Sequence, residues 1–414
     1  MKDQLFIVFT CFFVCNYTQN VTIKTPMGTV TGFRVDLGND KLIYGKADIF
    51  LGIPFAEPPL GNLRFQKPQP LISYPNGHVD ATQYKPACTQ PLDPFWCRIQ
   101  SEDCLYLNVF TPNATTTDRY PVMVWIHGGG LQAGCGNQWT YLGATRNLVS
   151  RGVVVVVIQY RLGVPGFFTT NTADFPPNRG LLDQLETLKW VQRNIAFFGG
   201  DANLVTIFGQ SSGGSSVNAH LYSPLSKGLF HRAIMESGAL YLHTDSQAAY
   251  STASENVAEK AYVSEAFDSP GEAEIVKRLN GYRPVPHSAE VFYLWFGWAD
   301  SRFDIIYDKG KTTKFDLQLA DTLGTWWTNF AKFGQPTQDN LWKTMTLKPE
   351  SEFLRIDSPE NGGMTMVSGY LDRDFRVFQQ QLRHYDEPTD SKGKTTPFFY
   401  FTYFTIFCRI YLEN

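Results

Sequence analysis

The sharpest chemical signal in the sequence is Gly209-Gln210-Ser211-Ser212-Gly213. Its central serine follows the β-rich run Leu204 to Phe208 and precedes a helical segment through Asn218 and Leu221. A G-x-S-x-G pentapeptide between a strand and a helix makes a tight, strained turn that projects the serine Oγ, and small flanking residues are what permit it. A hydroxyl is a poor nucleophile unaided and needs an adjacent base. Taken alone, the pentapeptide also fits a Gly/Ser-rich turn with no chemistry. A second segment, His127-Gly128-Gly129-Gly130, follows the apolar run Pro121 to Ile126. Glycine there leaves backbone N–H groups free to approach a developing oxyanion, and losing one such donor costs about 100- to 1000-fold in rate. Oxyanion donors upstream of a serine turn in one chain point to serine-based acyl transfer.

These two turns need a rigid frame. Asn20 to Val35 alternates around Gly28 and Gly32 as an antiparallel hairpin does, and Leu105 to Phe110 is a short β-rich run. Val153 to Ile158 is an unbroken β-branched stretch, the pattern of a strand buried on both faces of a parallel sheet. Gly180 to Ile195 reads as a helix with Leu181, Leu185, Leu188 and Val191 on one side, and Ala233 to Met235 as a short strand before Glu236. Strands alternating with helices predict an α/β fold with a mostly parallel central sheet and an N-terminal antiparallel hairpin. In such sheets ligands bind at the carboxyl ends of strands, where the two glycine-rich turns fall.

Composition sets the outer limits. The 414 residues carry 36 Lys+Arg against 39 Asp+Glu, a net charge of −3, which gives no electrostatic reason to expect nucleic acid or an acidic membrane as partner. Charged residues are 18% and aromatics 15%, so the chain can bury a sizeable core and is not disordered overall. Lys2 followed by the apolar Leu5 to Cys15 reads as a secretory signal, too short to span a bilayer, here bounded at residues 1–18. Secretion makes the remaining cysteines, Cys88, Cys97, Cys104, Cys135 and Cys408, candidates for disulfides. Asn20-Val21-Thr22 and Asn113-Ala114-Thr115 are N-glycosylation acceptors, although three-residue sequons also arise by chance. Residues 19–385 form the expected catalytic domain and 386–414 a tail. Pro397 to Cys408 is apolar and aromatic, borderline for a lipid-anchor signal and equally fitting as a buried terminal strand or an aberrant tail.

Longer stretches carry a resemblance. FLGIPFAEPPLGNLRF (Phe50 to Phe65), SEDCLYLNVFTP (Ser101 to Pro112), GLLDQLETLKWVQRNIAFFGGD (Gly180 to Asp201), GLFHRAIMESGA (Gly228 to Ala239) and WTNFAKFGQPT (Trp327 to Thr337) are similar to segments of the type-B carboxylesterases, which include the cholinesterases. The resemblance implies an α/β-hydrolase fold and hydrolysis of a small carboxylic ester through an acyl-serine, with no cofactor and no metal. By position it makes Ser211 the nucleophile and the amides of Gly129, Gly130 and Ser212 the oxyanion hole. It also pairs Cys88 with Cys104, a loop closure of about 3 kcal/mol in the chain-entropy account. Cys97 and Cys135 have no family counterpart, and spacing leaves their pairing open.

The pattern breaks after residue 280. A serine hydrolase of this kind needs an acid and a histidine in the order Ser, Asp/Glu, His. His287 opens HSAEVFYLWFGW, similar to the family's segment around the catalytic base, which implies His287 as general base. His78, His220, His231, His243 and His384 carry no motif, and surface or core roles are expected of them. Family members place more than twice as many residues between nucleophile and base, and their acid motif, G-x-N-x-x-E-G, does not occur in this sequence. The jump falls at Arg283-Pro284-Val285-Pro286, as an internal deletion would leave it; Glu236 is a weak substitute acid. The expectations are therefore an ester hydrolase, with an impaired, esterase-like binding protein or an incomplete form of an active esterase as alternatives. Trp96 lies in the first disulfide loop, but its surroundings do not match the choline-binding segment, so a general ester is preferred over a choline ester.

Overall fold

Among the described residues, ten strands form one sheet. The computed structural model describes residues 16–39, 44–91, 97–170, 173–238, 289–295, 314–339, 341–342, 352–355, 364–368 and 409–412. The strands are β1 (Asn16–Thr25), β2 (Gly28–Asn39), β3 (Tyr44–Pro54), β4 (His78–Asp80), β5 (Ala87–Cys88), β6 (Gln100–Ser101), β7 (Tyr106–Thr111), β8 (Tyr120–Ile126), β9 (Val154–Ile158), β10 (Gly200–Gln210), β11 (Arg232–Glu236), β12 (Glu352–Arg355), β13 (Thr365–Ser368) and β14 (Arg409–Leu412). The helices are α1 (Tyr141–Asn147), α2 (Gly163–Phe167), α3 (Arg179–Asn194), α4 (Ser212–Tyr222), α5 (Ala289–Trp295) and α6 (Lys314–Phe333). The main sheet has the order β1-β2-β3-β7-β9-β8-β10-β11-β14, with β4 beside β2.

The sheet is mixed. β9, β8, β10 and β11 are mutually parallel, while β1, β2, β3 and β7 add to it antiparallel, beginning with the predicted hairpin. From β8 the chain passes to β9 on one side and then crosses by α3 to β10 on the other. That reversal opens a crevice at the carboxyl ends of β8 and β10. On the far side β14 pairs antiparallel with β11, Ile234 facing Ile410, so the last described segment occupies the edge of the parallel block. The signal segment before residue 16 and the tail stretch Pro397 to Cys408 lie outside the described residues.

Alternation across each strand fills two cores. Val122, Val124, Ile126, Val154, Val156 and Ile158 face Leu188, Trp190 and Val191 of α3 and Val217 of α4. Met123, Trp125, Val155 and Val157 face α1, α5 and α6 on the other side. The unbroken β-branched run thus has the predicted two-sided burial. In α3 Leu185, Leu188 and Val191 are buried, whereas Leu181, expected on the same side, is half-buried. A buried carboxylate fastens this helix: Asp183 accepts from the Arg161 backbone N–H at 3.0 Å, its Nε at 2.8 Å and its second guanidinium nitrogen at 2.7 Å. Burial raises the Asp183 carboxyl and the Arg161 guanidinium opposes that rise.

Trp125 is the pivot of the second core. Its ring lies 4.8 Å from Trp139, 4.8 Å from Phe208 and 5.2 Å from Trp295, joining β8 to β10 and α5. Trp125→Ala should cost about 3–5 kcal/mol, as large core deletions do, read as a fall in the urea midpoint. A loss below about 1 kcal/mol would mean that α5 does not pack on β8.

Candidate active site

Ser211 sits where the sheet reverses. In-register pairing sets Gly209 of β10 beside Ile126 of β8, so the turns that follow the two strands emerge side by side. Ser211 has φ 58° and ψ −127°, a strained conformation for a residue with a side chain, and it caps α4 through the Ser215 N–H, which donates to the Ser211 carbonyl at 3.0 Å. Its own N–H donates to the Glu236 carbonyl at 2.8 Å, which fixes the elbow to β11. The strain is accommodated by close backbone approach. A Cβ on Gly213 would stand 2.1 Å from the Ile126 carbonyl oxygen, so no larger residue fits beneath the serine.

The glycine turn faces this elbow. Gly128 lies so near that a Cβ there would be 3.0 Å from the Ser211 Cβ. Gly129 and Gly130 are exposed at φ 113° and 64°, leaving bare backbone at the open end of the crevice. The Leu131 N–H donates to Ser212 Oγ at 3.1 Å, tying turn to elbow. Beneath them His127 stacks on Tyr160 at 4.5 Å, and the Tyr160 hydroxyl donates to the His127 carbonyl at 2.7 Å. Ser211 and the start of α4 also bring the positive end of a helix to the site. The arrangement can present a hydroxyl and several N–H donors to one carbonyl.

Among the described residues no histidine hydrogen-bonds Ser211. His127 Nδ1–H donates to the Gly128 carbonyl at 2.9 Å, and burial pushes its pKa down to about 4. His220 is held between Ser226 at 2.8 Å and Gln184 at 3.0 Å, also pushed by burial to about 4. His231 Nδ1 accepts the Val205 N–H, and His78 bonds Thr29 on the surface. His243, His287 and His384 lie outside the described residues, as do Trp96 and Cys408.

Glu236 is unlike the ordinary loop glutamate that its motif-free context suggests. It ends β11, wholly buried; Oε1 accepts the Trp327 indole N–H at 2.7 Å, and Oε2 is buried with no hydrogen-bond partner among the described residues. Burial first, and then the neighbouring Glu290, push its carboxyl up to about 8, against the opposing pull of Trp327. Glu290, three residues after His287, accepts the Ser237 hydroxyl at 3.3 Å and is likewise raised by burial. Sequence reasoning missed Trp327 and Glu290, because their meeting with the end of β11 joins segments about 90 and 50 residues away, respectively.

Two disulfides lie beside the site. Cys88 and Cys104 are bonded, with Cα atoms 4.9 Å apart, and Cys97 is bonded to Cys135, with Cα atoms 6.1 Å apart. Of the sequons, Asn20 is exposed on β1, and Asn113 is half-buried with Oδ1 accepting from the Thr115 N–H at 3.0 Å and its hydroxyl at 2.9 Å. No cluster of metal-ligating side chains occurs among the described residues.

A parallel block with a strained serine at its reversal point, helices on both faces and an antiparallel N-terminal extension together define an α/β-hydrolase fold. The chain belongs to the carboxylesterase family, whose sequence profile matches residues 19–281. It is similar to liver carboxylesterase 1 of Oryctolagus cuniculus, 51% identical over 47% of this chain and 36% of that protein. It is also similar to carboxylesterase 1E of Mus musculus, 52% identical over 52% of this chain and 40% of that protein. The chain thus matches well under half the length of these curated relatives. In fold it resembles the crystal structure of juvenile hormone esterase from Manduca sexta, with a TM-score of 0.68 at 22% identity, covering 88% of this chain and 100% of that one.

The Glu236 carboxyl gives a pH signature. Its folded pKa exceeds the ordinary 4.5, so its contribution favours the fold at low pH and is lost as pH rises from about 4.5 through about 8. Glu236→Gln keeps an acceptor for Trp327 but removes that titration. Relative to the parent, the Gln variant should gain stability between pH 5 and pH 8, by up to about 3 kcal/mol, measured by urea unfolding at both. A difference independent of pH would show that Glu236 titrates normally.

Proposed function

We propose that this chain is a carboxylic ester hydrolase acting through an acyl-serine formed on Ser211. The observation that carries the reading is the strained Ser211 elbow held against the exposed Gly129–Gly130 backbone at the sheet reversal. Ser211 Oγ attacks the ester carbonyl; the N–H groups of Gly129, Gly130 and Ser212 receive the oxyanion; the alcohol leaves, and water then hydrolyses the acyl-enzyme. The base must be a histidine outside the described residues, and His287 is the choice on its family-like segment. Its proximity in sequence to Glu290, which lies by Ser237 just past β11, supports that assignment.

The acid is the weak link. Glu236, the candidate within reach of the elbow, is held near neutrality at physiological pH and is already bonded to Trp327, so it is a poor partner for an imidazolium. The sequence carries no G-x-N-x-x-E-G segment. This favours a slow enzyme, with an esterase-like binding protein as second reading. The substrate is a neutral carboxylic ester rather than a choline ester. Two disulfides and the Asn20 and Asn113 sequons support a secreted chain. The apolar N-terminal run and the family-like segments in the sequence are the basis for a signal at residues 1–18, a domain at 19–385 and a tail at 386–414. No helix among the described residues is long and apolar enough to cross a membrane.

Ser211→Ala should abolish turnover of a short-chain aryl ester and labelling by an organophosphonate; labelling that survives the substitution overturns the assignment. The 414-residue form should have a kcat/KM at least about 1000-fold below that of a version with the family's acid-bearing segment inserted between Arg283 and His287. Comparable values for the two would refute the missing-acid argument and return Glu236 to candidacy.

A further inference from the structure

Within the oxyanion turn the Gln132 and Ala133 N–H groups both donate to the Gly129 carbonyl, at 3.1 and 2.9 Å, which closes the turn but does not set it against the elbow. Gly129, Gly130 and Leu131 all have positive φ, at 113°, 64° and 60°, and the two glycines carry no side chain to anchor. Oxyanion donors act only when placed about 2.7–3.1 Å from the developing charge, and misplacement by about 1 Å can cost 100-fold in rate. Contacts outside the turn must therefore set its position relative to Ser211.

On one side Leu131 is held at both backbone atoms: its N–H donates to Ser212 Oγ of the elbow, and its carbonyl accepts the Gly163 N–H at 2.8 Å. On the other side the contacts come from the loop closed by Cys88 and Cys104. Gln90 grips Gly134 at both backbone atoms: the Gly134 N–H donates to Gln90 Oε1 at 2.8 Å, and Gln90 Nε2 donates to the Gly134 carbonyl at 2.9 Å. Gln90 is held in turn by Gln100, whose Oε1 accepts the Gln90 backbone N–H at 3.0 Å. The next residue, Cys135, is joined covalently to Cys97 within the same loop, and both are buried.

Gly134 then passes this constraint back to the oxyanion glycines by contact. A Cβ on Gly134 would lie 2.5 Å from the Gly128 carbonyl oxygen and 2.6 Å from His127 Nδ1, so the two backbones touch. The Ala133 N–H donates to the Gly129 carbonyl at 2.9 Å, and a Cβ on Gly129 would meet the Ala133 carbonyl oxygen at 2.1 Å. A rigid path thus runs from Cys97–Cys135 and Gln90 through Gly134 and Ala133 to Gly129.

We infer that Gln90 and the Cys97–Cys135 disulfide are positioning residues that hold the Gly129–Gly130 turn in its oxyanion-binding geometry, an inference that rests on the acyl-serine reading only for what the turn does. Neither touches substrate. They act on the step at which the carbonyl oxygen gains charge, so their loss lowers kcat and leaves KM near its parent value. Without Cys97–Cys135 the 88–104 loop keeps its own disulfide but loses its covalent hold on residue 135.

The test compares the parent chain with Gln90→Ala, which keeps both disulfides, and with Cys97→Ser/Cys135→Ser. Hydrogen exchange is followed at the Leu131 and Ala133 amides, neither of which bonds Gln90, against β8 and β10 amides as reference; kcat and KM are read with an aryl ester. Exchange at Leu131 and Ala133 at least about tenfold faster in both variants, with β8 and β10 unchanged and kcat lowered about tenfold or more at near-constant KM, is the expected result. Unchanged exchange at Leu131 and Ala133, or faster exchange with kcat intact, overturns the inference. Should the cysteine variant exchange globally, Gln90→Ala decides alone. A parent chain without turnover or phosphonate labelling counts against the acyl-serine reading, while the exchange comparison still decides whether Gln90 and the disulfide hold the turn.

Discussion

The side-by-side pairing of β8 and β10 is the constraint on which the site depends. Because Ile126 and Gly209 are partners in a parallel register, the backbone that leaves each strand emerges at the same height on the same edge. A slip of one residue would turn Trp125 and Phe208 out of their shared core, so the hydrophobic effect that packs the sheet also sets the site's register. The price of this closeness is local strain at Ser211, tolerable because Gly209, Gly213 and Gly128 let three backbones meet with no Cβ between them.

Around that junction the fold places polar groups with little water to solvate them, and treats them in two ways. Asp183 is buried but receives hydrogen bonds from Arg161 at three nitrogens, which oppose, without cancelling, the cost of ionisation. Glu236 receives only the Trp327 indole and sits near a second carboxyl, so it holds its proton instead. Burial also disfavours charge on His127 and His220, where no carboxylate contributes an opposing pull. The described part of the site is therefore rich in backbone donors and poor in ionised side chains. That suits an oxyanion but leaves proton transfer to residues elsewhere in the chain.

Much of this was legible in the residues themselves. The two-sided burial of Val153–Ile158 follows from a run with no polar member, and the Ser211 elbow from small residues flanking a serine after a strand. The HGGG segment announced a turn with exposed amides, and the N-terminal alternation announced the hairpin. Glycines, β-branched runs and alternation are local signals, because they act through the conformational preferences of the residues that carry them.

The sequence by itself determined the fold class, the nucleophile candidate and the family, since each rests on contiguous segments. Only the tertiary structure decided what depends on distant partners. It joined Cys97 to Cys135 across 38 residues, where spacing left the pairing open. It set Gln90 against Gly134, and it brought Trp327 and Glu290 to Glu236, turning an unremarkable strand-end glutamate into a protonated buried acid. Burial and through-space charge are properties of the folded environment, so no pattern along the chain encodes them one residue at a time.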